Sequence, residues 1–141
     1  MSTTTHKILS RRFRQEQDKG NWAIFEEIPA PDCTVYFTGN PEPLNRAGLK
    51  QLSQIFFSAF PDLRHTFEDQ VAEGDKVVNR ITLSGTHQGE FQGIPPTGRS
   101  IAIQAIVTDR FVDGKLAECW GNIDSLGMLQ QLGVIPTPEA T

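Results

Sequence analysis

The sequence predicts an α+β fold: N-terminal helices packed on the concave face of a strongly curved antiparallel or mixed sheet that forms a cone, followed by a short C-terminal helix. Apolar residues recur at helical spacing up to about residue 60, at alternate positions from Leu63 onward, and at helical spacing again after Asp124. Helices that precede a run of strands are typical of a layered α+β domain. With 141 residues, the chain is expected to form a single domain over 1–141 with a substantial core.

The first half of the chain contains three predicted helices and one predicted strand. The first helix covers 6–19 and ends at Gly20, and Arg11, Arg12 and Arg14 are expected on its solvated side. The other elements are a short helix over 22–27, a strand over 34–37 and a long helix over 44–60, which Pro61 ends.

The second half is predicted to be an antiparallel meander. Its strands cover 67–72, 76–86 and 100–111, and a further strand ends near Asp124. The segment 85–98 is rich in Gly and Pro and is expected to be a long connection that covers part of the fold. Arg80 lies in the middle of a predicted strand, where it must reach solvent or pair with a carboxylate, because an unpaired buried charge is costly.

The Asp113-Gly114 dipeptide predicts a β-hairpin whose register decides which side chains share a face. A two-residue loop pairs Val112 with Lys115, whereas a three-residue loop with a Gly bulge pairs Phe111 with Lys115. We favour the bulged loop because it separates polar from apolar residues. It places the following residues on one face: Gln104, Thr108, Arg110, Glu118, Trp120, Asn122 and Asp124. Such a face could be exposed to water, or it could line a ligand pocket, which often combines an aromatic wall with a few polar groups.

Composition argues against several classes of function. The net charge is −4 and the charges are mixed, so no nucleic-acid-binding surface is indicated. No segment is apolar enough to span a bilayer, and no signal sequence is visible. Cys33 and Cys119 do not have the spacing of metal ligands and are expected to be reduced thiols of a cytoplasmic protein.

Three segments contain motifs of a known family. They are AFPDLRHTFEDQVAEGDKVVNRITLSGTH, the overlapping GTHQGEFQGIPPTGRSI, and DRFVDGKLAECWGNIDSLGMLQQLG. With these motifs the chain resembles the SnoaL-like polyketide cyclases over about residues 8–133. The resemblance implies a cystatin-like α+β cone, shared with nuclear-transport-factor-like proteins, scytalone dehydratase and ketosteroid isomerase. It also implies a homodimer or a higher homo-oligomer.

The resemblance further implies a reaction and a catalytic group. In characterised cyclases of this family, an aspartate near the end of the last strand acts as general acid/base in an intramolecular aldol condensation, without metal or cofactor. The matching residue is Asp124. A family histidine one hairpin earlier corresponds to Arg110, which cannot exchange protons near neutral pH and could only orient or polarise a substrate oxygen. The family's Glu-His-Trp triplet is altered to Glu118-Cys119-Trp120.

The candidate site therefore combines a base, an electrophile and an apolar chamber for a small apolar or polycyclic carbonyl ligand. Asp124 is the predicted base, and Arg110, Arg80 or His87 is the predicted electrophile. The predicted substrate-binding residues are Trp120, Glu118, Asn122, Tyr36, Trp22, Phe25, Phe56 and Phe60.

Two alternatives remain open at this stage. Asp124 stands directly before SLGMLQQL and could serve as the N-cap of that helix, in which case the domain would be a non-catalytic ligand-binding module. A variant enzyme function is hydrolysis or dehydration: the same fold can carry an Asp–Arg–Asp cluster that positions a water to open an epoxide, and Asp109, Arg110 and Asp124 supply that set only in part.

Overall fold

The computed structural model describes residues 2–138 and contains one five-stranded mixed sheet with helices on one face. The helices are α1 (Thr3–Asp18), α2 (Ile24–Glu27), α3 (Arg46–Ala59) and α4 (Ser125–Gln131); the strands are β1 (Pro29–Phe37), β2 (Arg64–Glu73), β3 (Lys76–Thr86), β4 (Ser100–Val112) and β5 (Lys115–Ile123). The strand order is β1-β5-β4-β3-β2, with β1 parallel to β5 and the other neighbours antiparallel. The α+β class is confirmed, and the sheet is open.

The β4–β5 hairpin has a shorter loop than the one we favoured, but the same residues share each face as predicted. Val112 pairs with Lys115, so the loop has two residues, and both Asp113 and Gly114 have positive φ values, 50° and 77°. The predicted three-residue loop is therefore wrong. The bulge lies instead in β5, where Arg110 pairs with Glu118 but Phe111 pairs with Leu116. This one-residue insertion restores the predicted separation of polar and apolar faces.

The two faces of the sheet have different surroundings. Helix α1 packs over β2 and β3, and α3 packs over β1; we call the side that they cover the inner face and the opposite side the outer face. Along β3 the inner residues Val77, Asn79, Ile81 and Leu83 are buried, while Val78 and Arg80 on the outer face are exposed. The helices therefore enclose only the inner face, and any cavity must form there.

The predicted long connection packs against the end of α3. The backbone N–H groups of Gln88 and Gly89 both donate to the carbonyl oxygen of Ala59. A Cβ atom on Gly89 would lie 2.4 Å from the carbonyl oxygen of Ser58, so this close approach requires glycine. Phe91 is buried in the core between α3 and the sheet. The connection thus covers one end of the inner face. None of the helices within residues 2–138 is long and apolar enough to cross a membrane.

Candidate functional site

An apolar cavity lies between the inner face of the sheet and helices α1 and α3. The sheet contributes Val35, Phe37, Ile81, Leu83, Ala105, Val107, Gly121 and Ile123, the segment before β2 contributes Leu63, and α3 contributes Leu49, Leu52, Ser53, Phe56 and Phe57. About 100 Å³ between these walls is open to water-sized molecules, and the empty space is about 750 Å³ when the open mouth is counted. The first volume is below the roughly 300–1,000 Å³ of typical small-molecule sites, so a substrate would also have to occupy the mouth. Such sites are mostly apolar with few polar groups.

A second cleft continues from the first toward α4. The two share Phe37, Leu52, Phe56 and Ile123 as walls. The second cleft is bounded further by the β1–α3 loop, by Phe91 and Gln92, and by Met128 and Leu129 of α4. A ligand longer than the first cavity could therefore extend between α3 and α4.

Most polar side chains of the first cavity, other than Ser53 of α3, lie on or next to helix α1. Helix α1 presents Phe13, Arg14 and Gln17 to the cavity, and Cys119 of β5 and His65 of β2 lie on the same wall. The two basic groups are not adjacent, since Arg14 Nη1 bonds to Ser10, eight residues and about 12 Å along the α1 axis before Asp18, which binds His65. The cavity is thus mostly apolar, with a cation and an imidazole at separate points of its wall.

Arg14 forms a buried ion pair with Asp109. Its Nη2 donates to Asp109 Oδ1 at 2.9 Å, and its Nη1 donates to Asp109 Oδ2. The two side chains are only 7% and 0% exposed. Ser10 Oγ also donates to Asp109, and Asn79 Nδ2 donates to Ser10 Oγ at 2.7 Å. These bonds satisfy charges that would otherwise be costly to bury.

The expected solvated position of Arg14 is therefore wrong. Residues Ser10, Phe13, Arg14 and Gln17 all lie on the buried side of α1, at the i, i+3, i+4 and i+7 spacing of one helix face. Arg14 can occupy that face because Asp109 of β4 neutralises it there. Arg11 is exposed and Arg12 pairs with Glu27 at the surface.

The ion pair also controls the protonation of its neighbours. Burial alone would lower the pKa of Arg14, but the charge and hydrogen bonds of Asp109 raise it above its ordinary value. Burial and the charge of Asp109 raise the pKa of the Cys119 thiol well above its usual range, and the Arg14 guanidinium only partly opposes them. Cys119 is therefore a neutral thiol at physiological pH and not an activated nucleophile.

A second Asp–basic pair lies at the end of α1. His65 Nδ1 is 2.6 Å from Asp18 Oδ1, and the backbone N–H of His65 donates to Asp18 Oδ2 at 2.9 Å. The two side chains are 14% and 16% exposed. His65 lines the apolar cavity and also a shallow groove on the other side, which Asp18 and Lys19 share. Both oxygens of Asp18 thus hold one histidine in a defined orientation.

Asp124 lies outside both clefts. It is exposed, and its Oδ1 accepts a hydrogen bond from the backbone N–H of Gly127 at 2.9 Å, as the N-cap of α4. A Cβ atom on Gly127 would lie 2.1 Å from Asp124 Oδ2, so any larger residue there would make the Asp124 side chain shift. The capping interpretation is confirmed, and the expectation that this carboxylate projects into an apolar pocket is wrong.

The other predicted polar residues of the hairpin lie on the outer face. Arg110 Nε donates to Glu118, and Tyr36 stacks on Trp120 with ring centroids 5.9 Å apart. Asn122 is exposed. These residues were expected to line the pocket. The cavity is formed instead by the alternate residues of the same strands, which point to the inner face that the helices cover. The partial Asp–Arg–Asp cluster is also separated: Asp109 faces inward, Arg110 outward, and Asp124 caps α4.

Three further predicted groups take up different positions. Arg80 is exposed on the outer face, opposite Ile106 in the sheet register, and reaches solvent. His87 is fully buried and lines none of these clefts; its Nδ1 accepts from the backbone N–H of Thr97, and its ring packs on Phe60. Of the four aromatic chamber residues predicted alongside Trp120, Phe56 lines the cavity, Phe25 and Phe60 are core residues, and Trp22 packs on Phe25 and Phe57.

Sequence reasoning missed Arg14, Asp18, His65 and Asp109. For Asp109 a signal existed, since it has the same strand parity as the inward Ala105, Val107 and Phe111. Asp18 and His65 are 47 positions apart, and no local periodicity connects them. Only the packing of α1 over β2 brings them together.

A protein-family model matches most of the chain. The family model described as SnoaL-like polyketide cyclase matches residues 7–132. Over 83 residues the chain is 39% identical to aklanonic acid methyl ester cyclase DnrD of Streptomyces peucetius. That match covers 57% of this chain and 57% of DnrD, so the chain aligns with less than two thirds of that relative's length.

Solved structures resemble the chain over nearly its full length. AclR of Streptomyces galilaeus, provisionally described as a hydroxylase, has a TM-score of 0.88 and 32% identity, covering 98% of this chain and 91% of AclR. IdmH of Streptomyces antibioticus, provisionally described as a polyketide cyclase, has a TM-score of 0.83 and 32% identity, covering 92% of this chain and 99% of IdmH.

Proposed function

Because the chain belongs to the SnoaL-like polyketide cyclase family, a family of enzymes, we propose that it catalyses a cofactor-independent ring closure on an apolar, polyketide-type carbonyl compound held between α1, α3 and the inner face. The observation that carries the proposal is the cavity itself, which is mostly apolar and has most of its polar side chains on or next to α1. Apolar walls would bind the carbon skeleton, and the polar wall would act on its carbonyl groups.

Ring closure of this kind needs stabilisation of a developing enolate or alkoxide oxygen. Arg14 supports that role, since it lines the cavity and stays protonated. Among residues 2–138, its Nη atoms donate to Ser10, Asp109 and Cys119, while its Nε–H has no hydrogen-bond partner. We propose that this N–H donates to a substrate oxygen. The burial of Arg14 beside Asp109 would hold the donor in place before substrate arrives.

The geometry does not favour Asp124 as the general base. Its carboxylate is exposed and accepts the backbone N–H of Gly127, and a base must lie within hydrogen-bond reach of the proton that it removes. We therefore expect Asp124→Asn to retain turnover and also the cap of α4, because Asn and Asp are about equally good N-cap residues. A variant that folds but has lost all turnover would restore Asp124 as the proton-transfer group.

One alternative function has a specific observation in its favour. The family aspartate matched to Asp124 lies outside the cavity, and Asp109 already neutralises Arg14. Both facts are compatible with a pocket that binds a small apolar ligand without converting it. Binding without turnover would then be the outcome of the following experiment.

The proposal is tested with aklanonic acid methyl ester, which the name of the relative DnrD supplies as a probe. The purified wild type is expected to bind and cyclise it without added metal or cofactor. Val107→Phe fills the cavity from β4 and is expected to reduce kcat/KM at least tenfold, because the substrate loses its space. The products are followed by chromatography with mass detection, and affinity by isothermal titration calorimetry.

The matched control lies on the other side of the same strand. Gln104 is exposed on the outer face of β4, so Gln104→Phe adds a ring of the same size without entering the cavity. It is expected to retain wild-type kcat/KM. Equal loss in both variants would show that the effect is not due to cavity filling, and binding without turnover in the wild type would favour the ligand-binding alternative.

We also propose that the outer face pairs two copies of the chain. Val78, Ile106 and Tyr36 are 40%, 40% and 43% exposed there, and Trp120 lies beside them. A symmetric dimer would cover these residues. Light scattering should give twice the 15.7 kDa chain mass for the wild type and the single mass for Ile106→Glu. Leu126→Glu, at an equally apolar exposed site on α4, should remain dimeric. A monomeric wild type would contradict this.

We further propose that the protein is cytoplasmic. Cys33 and Cys119 are both buried free thiols, which fits a reducing compartment.

A further inference from the structure

We propose that His65, oriented by Asp18, is the group that removes and returns protons in this cavity. The inference rests on the proposed function, since it names the base for that carbon-acid chemistry. It assigns the role to a histidine near the start of β2, and not to the carboxylate at the end of β5.

The first support is the geometry of the pair. One Asp18 oxygen is 2.6 Å from His65 Nδ1, and the other accepts the backbone N–H of the same residue at 2.9 Å. An aspartate on Nδ1 directs the other ring nitrogen, Nε2, toward the reacting group and stabilises the imidazolium that forms when Nε2 takes a proton. Among residues 2–138, no group hydrogen-bonds to Nε2 of His65.

The second support is the position of the ring between two environments. On one side, His65 borders the apolar cavity together with Leu63 and Phe57, whose ring centroid lies 6.4 Å from that of His65. On the other side, it borders the groove that holds Asp18 and Lys19. The imidazole can therefore meet a carbon acid in a water-poor space while its partner carboxylate stays in reach of solvent.

The third support is that His65 lines the same cavity as Arg14, whose guanidinium lies further along α1 and bonds to Ser10. A base and an oxyanion donor can act on different carbonyl groups of one extended substrate. Neither of the other histidines offers this: His6 and His87 are 5% and 0% exposed, and neither lines the cavity.

The proposed step balances without any co-reactant. The carbon next to a substrate carbonyl loses its proton to His65 Nε2, and the electron pair of the C–H bond becomes the enolate. The enolate carbon then forms the new C–C bond with a second carbonyl carbon of the same substrate. The oxygen of that carbonyl takes the proton back from Nε2 and becomes a hydroxyl group, which restores the neutral imidazole.

The test uses a probe that does not depend on the natural substrate. 5-Nitrobenzisoxazole is a flat aromatic carbon acid; when a base removes its C3 proton, the N–O bond breaks and a coloured phenolate forms. The wild type is expected to accelerate this reaction above buffer, and His65→Gln is expected to lose about 100-fold or more of the acceleration, the usual contribution of a positioned base. Asp18→Asn should lower kcat about tenfold with little change in KM, because it disturbs the orientation of the base and not the binding of the probe.

Asp62→Asn is the matched control. Asp62 lies three residues before His65, and its Oδ1 also accepts a backbone N–H, that of Thr86, but within residues 2–138 it does not hydrogen-bond to the histidine. Its variant should retain wild-type kcat, and circular dichroism should show that all variants are folded. Wild-type rates in His65→Gln, or a wild type that does not exceed buffer, would overturn the inference.

Parallel assays with aklanonic acid methyl ester separate the two proposals. Loss of phenolate formation in His65→Gln, together with no cyclisation by the wild type, would support the base but refute the cyclase function. Cyclisation that survives His65→Gln would refute the base and leave the function standing.

Discussion

Two carboxylate–arginine pairs involve the same β-hairpin and differ in the face on which they lie. Asp109 of β4 points inward and pairs with Arg14 of α1, where the side chains are 0% and 7% exposed. Glu118 of β5 points outward and pairs with Arg110 across the hairpin, where both side chains are more than a quarter exposed. The partners are the same in kind, so any difference between the pairs comes from their surroundings.

The comparison shows that a charged group on this hairpin is buried, and reaches the cavity wall, only where its strand directs it toward the helices. The inner pair fixes a cation in the cavity wall and changes the pKa of Cys119 beside it. The outer pair remains hydrated, so its attraction is weakened by solvent and salt. The hairpin therefore carries its functional candidates on the face that looks more apolar in the sequence.

The largest effect on stability is expected from removing the charge of the inner carboxylate, Asp109. Asp109→Asn leaves Arg14 buried without a counter-charge, and breaking a buried pair in this way costs about 3–5 kcal/mol. The free energy of unfolding, measured by urea titration at neutral pH, should fall by that amount. A loss below about 1 kcal/mol would contradict the buried pairing.

A double variant distinguishes charge from packing. Arg14→Leu/Asp109→Leu removes both charges, and apolar replacement of a whole buried pair is often nearly neutral. It should recover a large part of the stability that Asp109→Asn loses, while losing turnover because the cavity no longer contains the Arg14 donor. Equal instability of the single and double variants would show that the loss comes from packing.

The next largest expected effect is a loss of folding stability at alkaline pH. Burial and Asp109 raise the pKa of Cys119 in the folded protein, while the thiol of the unfolded chain ionises near pH 9.0. Above that pH the unfolded chain has lost a proton that the folded protein retains, so stability falls as pH rises, by about 1.4 kcal/mol per unit. Cys119→Ala should remove this component from urea titrations between pH 8 and 10.5.

Cys33→Ala is the control for that measurement. Burial raises the pKa of Cys33 as well, but Arg46 opposes the rise, and Cys33 has no bond to the ion pair. We expect the variant to keep most of the alkaline loss. An unchanged slope in Cys119→Ala would refute the assignment to the inner face.

The same comparison explains which features the sequence could predict. Alternation in β3 and β4 and the Asp113-Gly114 turn predict the elements and the separation of faces, because they depend on neighbours in the chain. Which face is covered depends on how α1 and α3 pack. A polar strand face with Trp120 fits both a pocket and an exposed surface, and here Trp120 stacks on Tyr36 outside. The Asp18–His65 pair depends on the same packing and has no local signal.

The smallest effect on stability is expected from removing the charge of the outer carboxylate, Glu118. Glu118→Gln removes the charge that, through its hydrogen bond, raises the pKa of Arg110, but Arg110 can still approach Asp75, 3.6 Å away, and both partners can be hydrated. The drop in unfolding free energy should be several-fold smaller than that of Asp109→Asn, and it should shrink further in 0.5 M salt, where the screening length is about 4 Å. The inner variant should show no such salt dependence, because solvent ions do not enter its site. Equal losses at Glu118 and Asp109, or equal salt effects, would mean that burial does not distinguish the two faces of this hairpin.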